Sequence, residues 1–211
     1  MPESIAGIDE AGRGPVIGSL IVAMAVCSKN NEKKLKKICK KDSKQLSQLQ
    51  RLEILKKLEG ICEFRHIEIS AQDLNQKMDN MSLNDIEAQA MANLIKKVKN
   101  ADVMIDLPDR YSWVFKKRME RFGVLKFEAE HKADENYPIV AAASIFAKVL
   151  RERQVDEIKN ETLVDFGSGY PSDPKTRNVL RNNKEIKKID KYLRKKWKTL
   201  ENVMQKKLFE D

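Results

Sequence analysis

Four acidic residues stand out in this sequence because each lies where an apolar segment ends or begins. Asp9 and Glu10 close the first apolar segment, Asp106 closes a later one, and Asp134 precedes a long apolar stretch. Carboxylate oxygens are the ligands that hard divalent cations such as Mg²⁺ prefer. A two-metal phosphodiesterase needs several of them, because the ions must be held, a water activated and a leaving oxygen stabilised. The four acids together therefore indicate such a site.

Each of these acids also has an ordinary structural interpretation. The Asp9-Glu10 pair could be the polar end of a hairpin, because adjacent carboxylates repel one another unless cations offset the charge. Asp106 could begin the turn at Pro108, and Asp134 could cap a helix. Taken one at a time, the acids leave these alternatives open, and only their combination favours a metal site.

The first two carboxylates lead into a glycine-rich turn, Gly12-Arg13-Gly14-Pro15. Glycine lets backbone N–H groups come close to a ligand, and a strand that twists as it ends can turn neighbouring side chains toward one site. The spacing of Gly12, Gly14 and Gly18 does not match G-x-G-x-x-G, and G-x-x-x-x-G-K-[ST] does not occur in the chain. Neither a dinucleotide site nor a P-loop is therefore indicated.

Composition excludes several other classes of protein. Of the 211 residues, 41% are hydrophobic and 35% charged, which is enough apolar material for one core. The longest weakly polar run, residues 15–27, is too short to span a bilayer and follows acidic residues, so we expect a cytoplasmic protein without membrane association. Three spaced cysteines and two histidines support neither disulfides nor a histidine metal site, which leaves the chemistry to carboxylates.

The net charge of +9 is concentrated toward the C-terminal end. Residues 174–211 contain 13 Lys or Arg against 5 Asp or Glu, whereas the charges of residues 1–173 almost cancel. A basic face is typical of proteins that bind a phosphate backbone. A Lys-rich helix that is simply solvated has the same composition, so charge alone leaves both interpretations open.

The elements that must position the site follow from the apolar pattern. Strands are predicted at residues 4–8, 16–27, 62–69, 102–107 and 124–130. Helices are predicted at about 48–58, 82–99, 112–121, 138–160 and 189–207, with Ser47 as the N-cap of the first. Glycine and proline predict a loop at 166–174.

This order of elements predicts an α/β domain with a hairpin-led mixed sheet of five strands flanked by helices. We assign residues 1–173 to this domain and 174–211 to a basic helical C-terminal extension packed on it. The helix at 138–160 has an apolar stripe that predicts its core face. Ser144, Lys148 and Arg151 are predicted to lie on its opposite face.

Several segments form a further pattern along the chain. They are Gly7 to Gly18, Asp42-Ser43-Lys44-Gln45-Leu46-Ser47, Val103-Met104-Ile105-Asp106, His131-Lys132-Ala133-Asp134-Glu135, Ala142-Ala143-Ser144-Ile145-Phe146-Ala147-Lys148 and Gly167-Ser168-Gly169-Tyr170-Pro171-Ser172-Asp173. In this order, covering about residues 4–174, they resemble the motifs of ribonuclease HII, the type 2 ribonuclease H family, in its archaeal single-chain form. The resemblance implies a ribonuclease H-like fold, which agrees with the predicted strand order.

The resemblance also implies an activity. It implies an endoribonuclease that hydrolyses the RNA strand of RNA–DNA hybrids and incises 5′ of ribonucleotides embedded in duplex DNA, leaving 3′-hydroxyl and 5′-phosphate ends. Two divalent ions, Mg²⁺ or Mn²⁺, would be held by the catalytic acids Asp9, Glu10, Asp106 and Asp134.

The substrate contacts that the resemblance implies lie in other motifs. The loop Gly12-Arg13-Gly14 would contact the ribose 2′-OH, which only RNA offers, and Tyr170 would pack on the neighbouring deoxyribose. Lys44, Ser144 and Lys148 would contact backbone phosphates. Simpler roles stay open for some of these residues: Tyr170 could anchor its loop, Lys148 could be solvated, and Arg13 could pair with Glu10.

Partners and rival functions complete the expectations. The segment Gln205-Lys206-Lys207-Leu208-Phe209 resembles the start of a sliding-clamp-binding peptide, although the paired aromatic residues of such peptides are absent, and we expect a monomer. One rival function is a nuclease or recombinase of the same fold that acts on DNA alone, against which the Gly12–Gly14 loop and Tyr170 argue. The other is a non-catalytic nucleic-acid-binding module, against which the complete set of four acids argues.

Overall fold

A mixed five-stranded sheet carries three of the four acidic residues, Asp9, Glu10 and Asp106. The computed structural model describes residues 3–39, 46–198 and 200. The strands are β1 Ser4–Ala11, β2 Leu20–Ser28, β3 Cys62–Ile69, β4 Ala101–Asp106 and β5 Glu128–Glu130. The strand order is β3-β2-β1-β4-β5, with β1 antiparallel to β2 and parallel to β4, and β4 parallel to β5. The predicted fold class is confirmed.

Helices follow the strands along the chain. They are α1 Glu32–Ile38, α2 Gln48–Glu59, α3 Ala71–Lys77, α4 Leu83–Ile95, α5 Ser112–Arg121, α6 Ala133–Asn136, α7 Pro138–Thr162, α8 Pro174–Arg181 and α9 Asn183–Lys188. Ser47 caps α2 as predicted, because its side chain accepts the N–H of Gln50 while the Gln50 side chain accepts the N–H of Ser47. Helix α3 was not predicted.

Strand β1 lies between β2 and β4, and α7 packs directly on it. Ala6 and Ile8 are completely buried, and Ile8 lies opposite Ile105 of β4. A Cβ atom on Gly7 would overlap the backbone of Ile139, so glycine is required for this close approach. The strand that carries Asp9 and Glu10 is therefore packed closely against the longest helix.

The chain divides into two compact units built from non-contiguous segments. The first contains the sheet and draws on residues up to 11, 21–67 and 82–150, and the second draws on residues 12–20, 68–81 and from 151 onward. Each has apolar residues at its centre, among them Val140 and Ala143 in the first and Phe166 and Leu180 in the second. The second unit includes residues on both sides of position 173, and the domain boundary expected there stays a prediction.

The elements predicted at 16–27, 124–130 and 189–207 differ from those observed. The second strand begins only at Leu20, because Ile17 pairs instead with Leu193 in an isolated antiparallel bridge. The last strand is only the three residues of β5. The helix predicted at 189–207 is wrong in its first part, since residues 190–192 form a 3-10 turn and the Arg194 N–H donates to the Val16 carbonyl, whereas residues 198 and 200 are helical.

The predicted polar face of α7 is also wrong at two positions. Ser144 is completely buried and Arg151 is only 7% exposed, whereas Lys148 is half-buried. The apolar stripe of α7 does face a core, as Ile139 and Val149 show. Polar side chains are buried here because each finds a polar partner inside the fold, and those partners belong to the candidate site.

Two remaining expectations concern membranes and cysteines. Within residues 3–39, 46–198 and 200, every helix is too short or too polar to cross a membrane. Cys27, Cys39 and Cys62 are free thiols, and the first and third are buried. Burial raises the pKa of Cys39 to about 12, so this thiol is protonated at neutral pH.

Candidate active site

Asp9 is the most deeply placed of the four acids. It is 5% exposed near the end of β1, its Oδ1 atom accepts the Glu10 N–H at 2.7 Å, and it forms a hydrogen bond with the Ser144 side chain of α7. Burial raises the pKa of Asp9 well above its usual value, and the Glu10 and Asp106 carboxylates raise it further. The Ser144 and Glu10 hydrogen bonds act in the opposite direction. The hydrogen bond with Asp9 thus explains why the polar side chain of Ser144 is buried.

Asp106 and Asp134 are linked through the backbone. Asp106 is the last residue of β4, and its Oδ1 atom accepts the Ala133 N–H at 2.9 Å. Ala133 begins the one-turn helix α6, so Asp134, which is 7% exposed, is the next residue along this helix. Lys132 has a φ of 59°, a left-handed conformation that turns the chain from β5 into α6. This hydrogen bond ties the segment that carries Asp134 to Asp106.

The arrangement suits a divalent cation by its donor chemistry. In the described part of the chain, no three Asp, Glu, His or Cys side chains are close enough to enclose a metal ion as they stand. The electrostatic influence of Glu10 and Asp106 on Asp9 nevertheless places these three carboxylates in one neighbourhood. Like charges in a buried setting repel, and a bound cation would reverse that penalty. The oxygen donors present therefore fit Mg²⁺ or Mn²⁺.

The second unit contains the predicted 2′-OH-reading loop. Gly12 is buried with a φ of 85°, Arg13 is half-buried and Gly14 is exposed. A Cβ atom on Gly14 would lie 3.2 Å from Cε1 of Tyr170, whose side chain is 42% exposed. The structure therefore brings Tyr170 against the loop with which the sequence motif associates it.

Arg151 hydrogen-bonds to the backbone that follows this loop. It was not predicted as a site residue. Its guanidinium donates to the Ile17 carbonyl at 2.7 Å and to Oε1 of Gln154 at 2.8 Å. Its Cδ atom lies 3.0 Å from where a Cβ on Gly12 would stand, and the Ser19 carbonyl lies 2.8 Å from that point, so glycine is required here. Burial lowers the pKa of Arg151 to about 10, which leaves the group charged at neutral pH. Nothing in the helical pattern of α7 distinguished this arginine from a surface one.

Arg194 supports the same loop from the C-terminal part of the second unit. It is completely buried, with Nε donating to the Gly18 carbonyl at 2.7 Å and Nη1 to the Arg13 carbonyl at 3.2 Å. Its guanidinium also lies 4.9 Å from the centre of the Trp197 ring. In a lysine-rich segment, sequence offers no signal that one cation is buried.

The remaining predicted contacts are placed as follows. Lys148 is half-buried on α7, and Ser144 is buried beside Asp9, so the phosphate contacts assigned to them stay predictions. Lys44 and the clamp-like segment at 205–209 lie outside the described residues.

The strand order, the acids at the ends of β1 and β4, and the acid that follows β5 define a hydrolase of the ribonuclease H-like fold class. The family model of ribonuclease HII matches residues 6–200. The chain belongs to the ribonuclease HII family and is of the archaeal type.

Similar proteins and structures match nearly the whole chain and support its place in this family. Ribonuclease HII of Archaeoglobus fulgidus is 43% identical over 203 residues, which cover 96% of this chain and 98% of the relative. The structure of the PCNA:RNase HII complex from Archaeoglobus fulgidus matches with a TM-score of 0.85 and 42% identity, covering 94% of this chain and 95% of the other. The ribonuclease H2 from Pyrococcus horikoshii OT3 matches with a TM-score of 0.84 and 34% identity, covering 96% and 98%. The chain is thus an endoribonuclease that hydrolyses RNA in RNA–DNA hybrids.

Proposed function

We propose that this ribonuclease HII uses two divalent ions and that it also incises 5′ of ribonucleotides embedded in duplex DNA. The observation that carries the first part is the buried Asp9 carboxylate with Glu10 and Asp106 as its charged neighbours. Such a cluster opposes folding unless positive charge compensates it. The residue types suit Mg²⁺ or Mn²⁺, and either ion satisfies the proposal.

Asp9, Glu10, Asp106 and Asp134 would hold the ions. When bound, these ions would activate a water and stabilise the departing 3′-oxygen, which leaves 3′-hydroxyl and 5′-phosphate ends. The protein orients the ligands: the Ser144 side chain and the Glu10 N–H hydrogen-bond to Asp9, and the Ala133 N–H fixes one oxygen of Asp106. Ligands fixed in this way do not have to reorganise during the reaction.

The Gly12–Gly14 loop would recognise the embedded ribonucleotide. A 2′-OH distinguishes RNA from DNA at a single position, and the backbone of an exposed glycine can approach it closely. Tyr170 lies against Gly14, so the ring and the loop form one surface on which a sugar could pack. The Arg13 carbonyl in the loop, and the Ile17 and Gly18 carbonyls just after it, each accept a hydrogen bond from a buried arginine, and these bonds restrain the backbone that would contact the ribose.

Two further roles extend the proposal. We infer that residues 205–209 bind a sliding clamp, which is supported by the PCNA:RNase HII complex of the Archaeoglobus relative. We also infer that the enzyme is a cytoplasmic monomer that acts in DNA replication and repair, where embedded ribonucleotides arise. Phosphate contacts by Lys44, Ser144 and Lys148 belong to the same proposal.

The decisive experiment uses a DNA duplex with one internal ribonucleotide, incubated with and without Mg²⁺. We expect one incision, 5′ of the ribonucleotide, only when the divalent ion is present. The matched control is the same duplex with a deoxyribonucleotide at that position, which should stay intact. Cutting of the all-DNA control, or cutting in the presence of a chelator, would refute the proposal, whereas an RNA–DNA hybrid serves as the positive control.

A further inference from the structure

An exposed pair of aromatic side chains lies just beyond the end of β4. Tyr111 is 49% exposed and Trp113 is 59% exposed. Their ring centres are 6.4 Å apart and their planes differ by 22°, so the rings are nearly parallel. Large aromatic side chains usually gain stability by burial, and the folded core does not use these two.

Each ring has a cation beside it. The Arg110 guanidinium lies 5.2 Å from the centre of the Tyr111 ring, and the Lys117 ammonium lies 5.3 Å from the centre of the Trp113 ring. We call Arg110, Tyr111, Trp113 and Lys117 the aromatic patch. Lys116 of α5 is also exposed, whereas Arg118 and Arg121 form ion pairs with Asp85, so the positive charge around the patch comes from Arg110, Lys116 and Lys117.

The residues next to the aromatic patch are held in place by hydrogen bonds and burial. Asp109, just before it, is 4% exposed and accepts hydrogen bonds from Nε of Arg118 at 2.9 Å and from the Asn84 side chain. Phe115, two residues after Trp113, is completely buried and anchors α5. Rings displayed on such a support lose little conformational entropy when a flat ligand stacks on them.

The position of the patch points to its ligand. β4 ends at Asp106, only four residues before Arg110, and Nε2 of His131 lies 3.3 Å from the Arg110 carbonyl. His131 belongs to the segment that carries Asp134. The aromatic patch therefore adjoins the acidic residues at which the nucleic-acid backbone is cleaved.

We propose that the aromatic patch binds an unpaired nucleotide in a single-stranded segment that continues from the cleaved duplex. A base can stack on Tyr111 or Trp113 only when its face is free, which excludes bases inside a duplex. Arg110 and Lys117 would contact the adjoining phosphates. Positive charge beside a nucleic-acid-cleaving site favours this ligand over a protein partner. The inference rests on the proposed function only in taking the duplex as the substrate.

The test compares a blunt RNA–DNA hybrid with the same hybrid carrying a short single-stranded extension at one end or the other. Binding is measured with a chelator present, so that nothing is cut. The wild type should bind one of the extended hybrids roughly tenfold more tightly than the blunt one. Trp113→Leu combined with Tyr111→Leu should lose this gain, whereas Trp113→Phe combined with Tyr111→Phe should keep most of it, because stacking requires a planar ring.

Controls separate the possible outcomes. Leu49→Ala removes a side chain of α2 that is 73% exposed and should leave the gain unchanged. The leucine variant should still cut the blunt hybrid in Mg²⁺ at the wild-type rate, which shows that it is folded. Failure of the wild type to cut would count against the proposed function alone. Equal affinity of the wild type for blunt and extended hybrids, or a full gain in the leucine variant, would overturn the inference.

Discussion

Burying a carboxylate at the end of a central strand costs folding free energy, because the ionised form loses its hydration. Asp9 bears this cost beside two further acids, and its pKa is raised chiefly by burial. A group whose pKa is higher in the folded state stabilises the fold below its unfolded pKa and loses that contribution as the pH rises through the folded value. At neutral pH, without a cation, Asp9 therefore opposes folding. Stability therefore does not explain an aspartate at this position, whereas the proposed metal binding does.

We expect Asp9→Asn and Asp106→Asn to abolish cleavage while substrate binding is largely kept. Each removes a charge that the ions require, and the loss of several kcal/mol of transition-state stabilisation corresponds to roughly a thousandfold in rate. The measurement is the single-turnover rate on the hybrid in Mg²⁺. Asp102→Asn is the matched control, because Asp102 lies on the same strand as Asp106 but pairs with Lys29 at 2.7 Å near the protein surface. We expect the protein to tolerate this change. Near-normal turnover of Asp9→Asn or Asp106→Asn would contradict the two-metal assignment.

Tyr170→Ala should slow cutting at a single embedded ribonucleotide by roughly a hundredfold, because the ring that orients the sugar is lost. Affinity for the duplex should change little, since the interaction acts chiefly in the transition state. Tyr170→Phe keeps the ring against Gly14 and should retain most of the rate. Single-turnover rates and the position of the cut are compared for the three proteins. An alanine variant with the wild-type rate and position would reduce Tyr170 to a loop anchor.

Secondary structure that depends on neighbouring residues could be predicted from the sequence. The alternation in β3 and the apolar spacing in α5 give bounds that match the structure, and the Ser47 cap has a local signal. The segment around Leu193 could not be predicted, because its apolar spacing is helical while its backbone pairs with Ile17 far away in the chain. Long-range hydrogen bonds decided its conformation.

The candidate site likewise contains residues that could be predicted from the sequence and residues that could not. The acids at the ends of β1 and β4 could be found because strand ends are visible in the sequence. The buried arginines Arg151 and Arg194 could not, since their partners are backbone carbonyls that the fold brings to them. The residues proposed to perform the chemistry thus leave a sequence signal here, whereas the arginines that hold the proposed substrate-reading loop do not.

At the level of elements, Asp173 joins the loop that carries Tyr170 to α8. One carboxylate oxygen accepts the Lys175 N–H at 2.9 Å as an N-cap, and the other accepts the Ser168 N–H at 2.8 Å and the Ser168 hydroxyl at 2.7 Å. The hydrogen bond from the Ser168 N–H is the main cause that lowers the pKa of Asp173. We expect Asp173→Ala to reduce the free energy of unfolding by about 1 kcal/mol at neutral pH, the usual effect of losing a cap.

This prediction has a characteristic pH dependence. A carboxyl whose pKa is lower in the folded state stabilises the fold above its unfolded pKa, about 3.9, and loses that contribution as the pH falls through the folded value. The difference in stability between wild type and Asp173→Ala should therefore shrink below about pH 4. Urea unfolding across this range measures it. A difference that is independent of pH would mean that the charge of Asp173 does not contribute.

At the scale of the whole molecule, the segment that carries the excess of positive charge also contributes residues to a hydrophobic core. Residues 174–211 carry most of the net charge, yet Val179, Leu180, Ile189 and Arg194 are among the buried residues of the second unit. Removing this region would expose apolar surface and release the loop that Arg194 holds. The contribution of its charge to binding must therefore be tested by substitutions at exposed positions.

We expect neutralisation of the exposed lysines of α9 to weaken substrate binding and its dependence on salt. Each lysine that neutralises a phosphate contributes about 0.9 to the slope of log affinity against log salt on duplex DNA, so three contacts contribute almost 3. The test variant replaces Lys184, Lys187 and Lys188 by Gln. The control makes the same change in net charge on α1, by replacing Lys33, Lys34 and Lys37. A smaller slope in the α9 variant alone places phosphates beside α9. Equal reductions in both would indicate a general effect of net charge, and an unchanged slope in both would show that these lysines of α9 are only solvated.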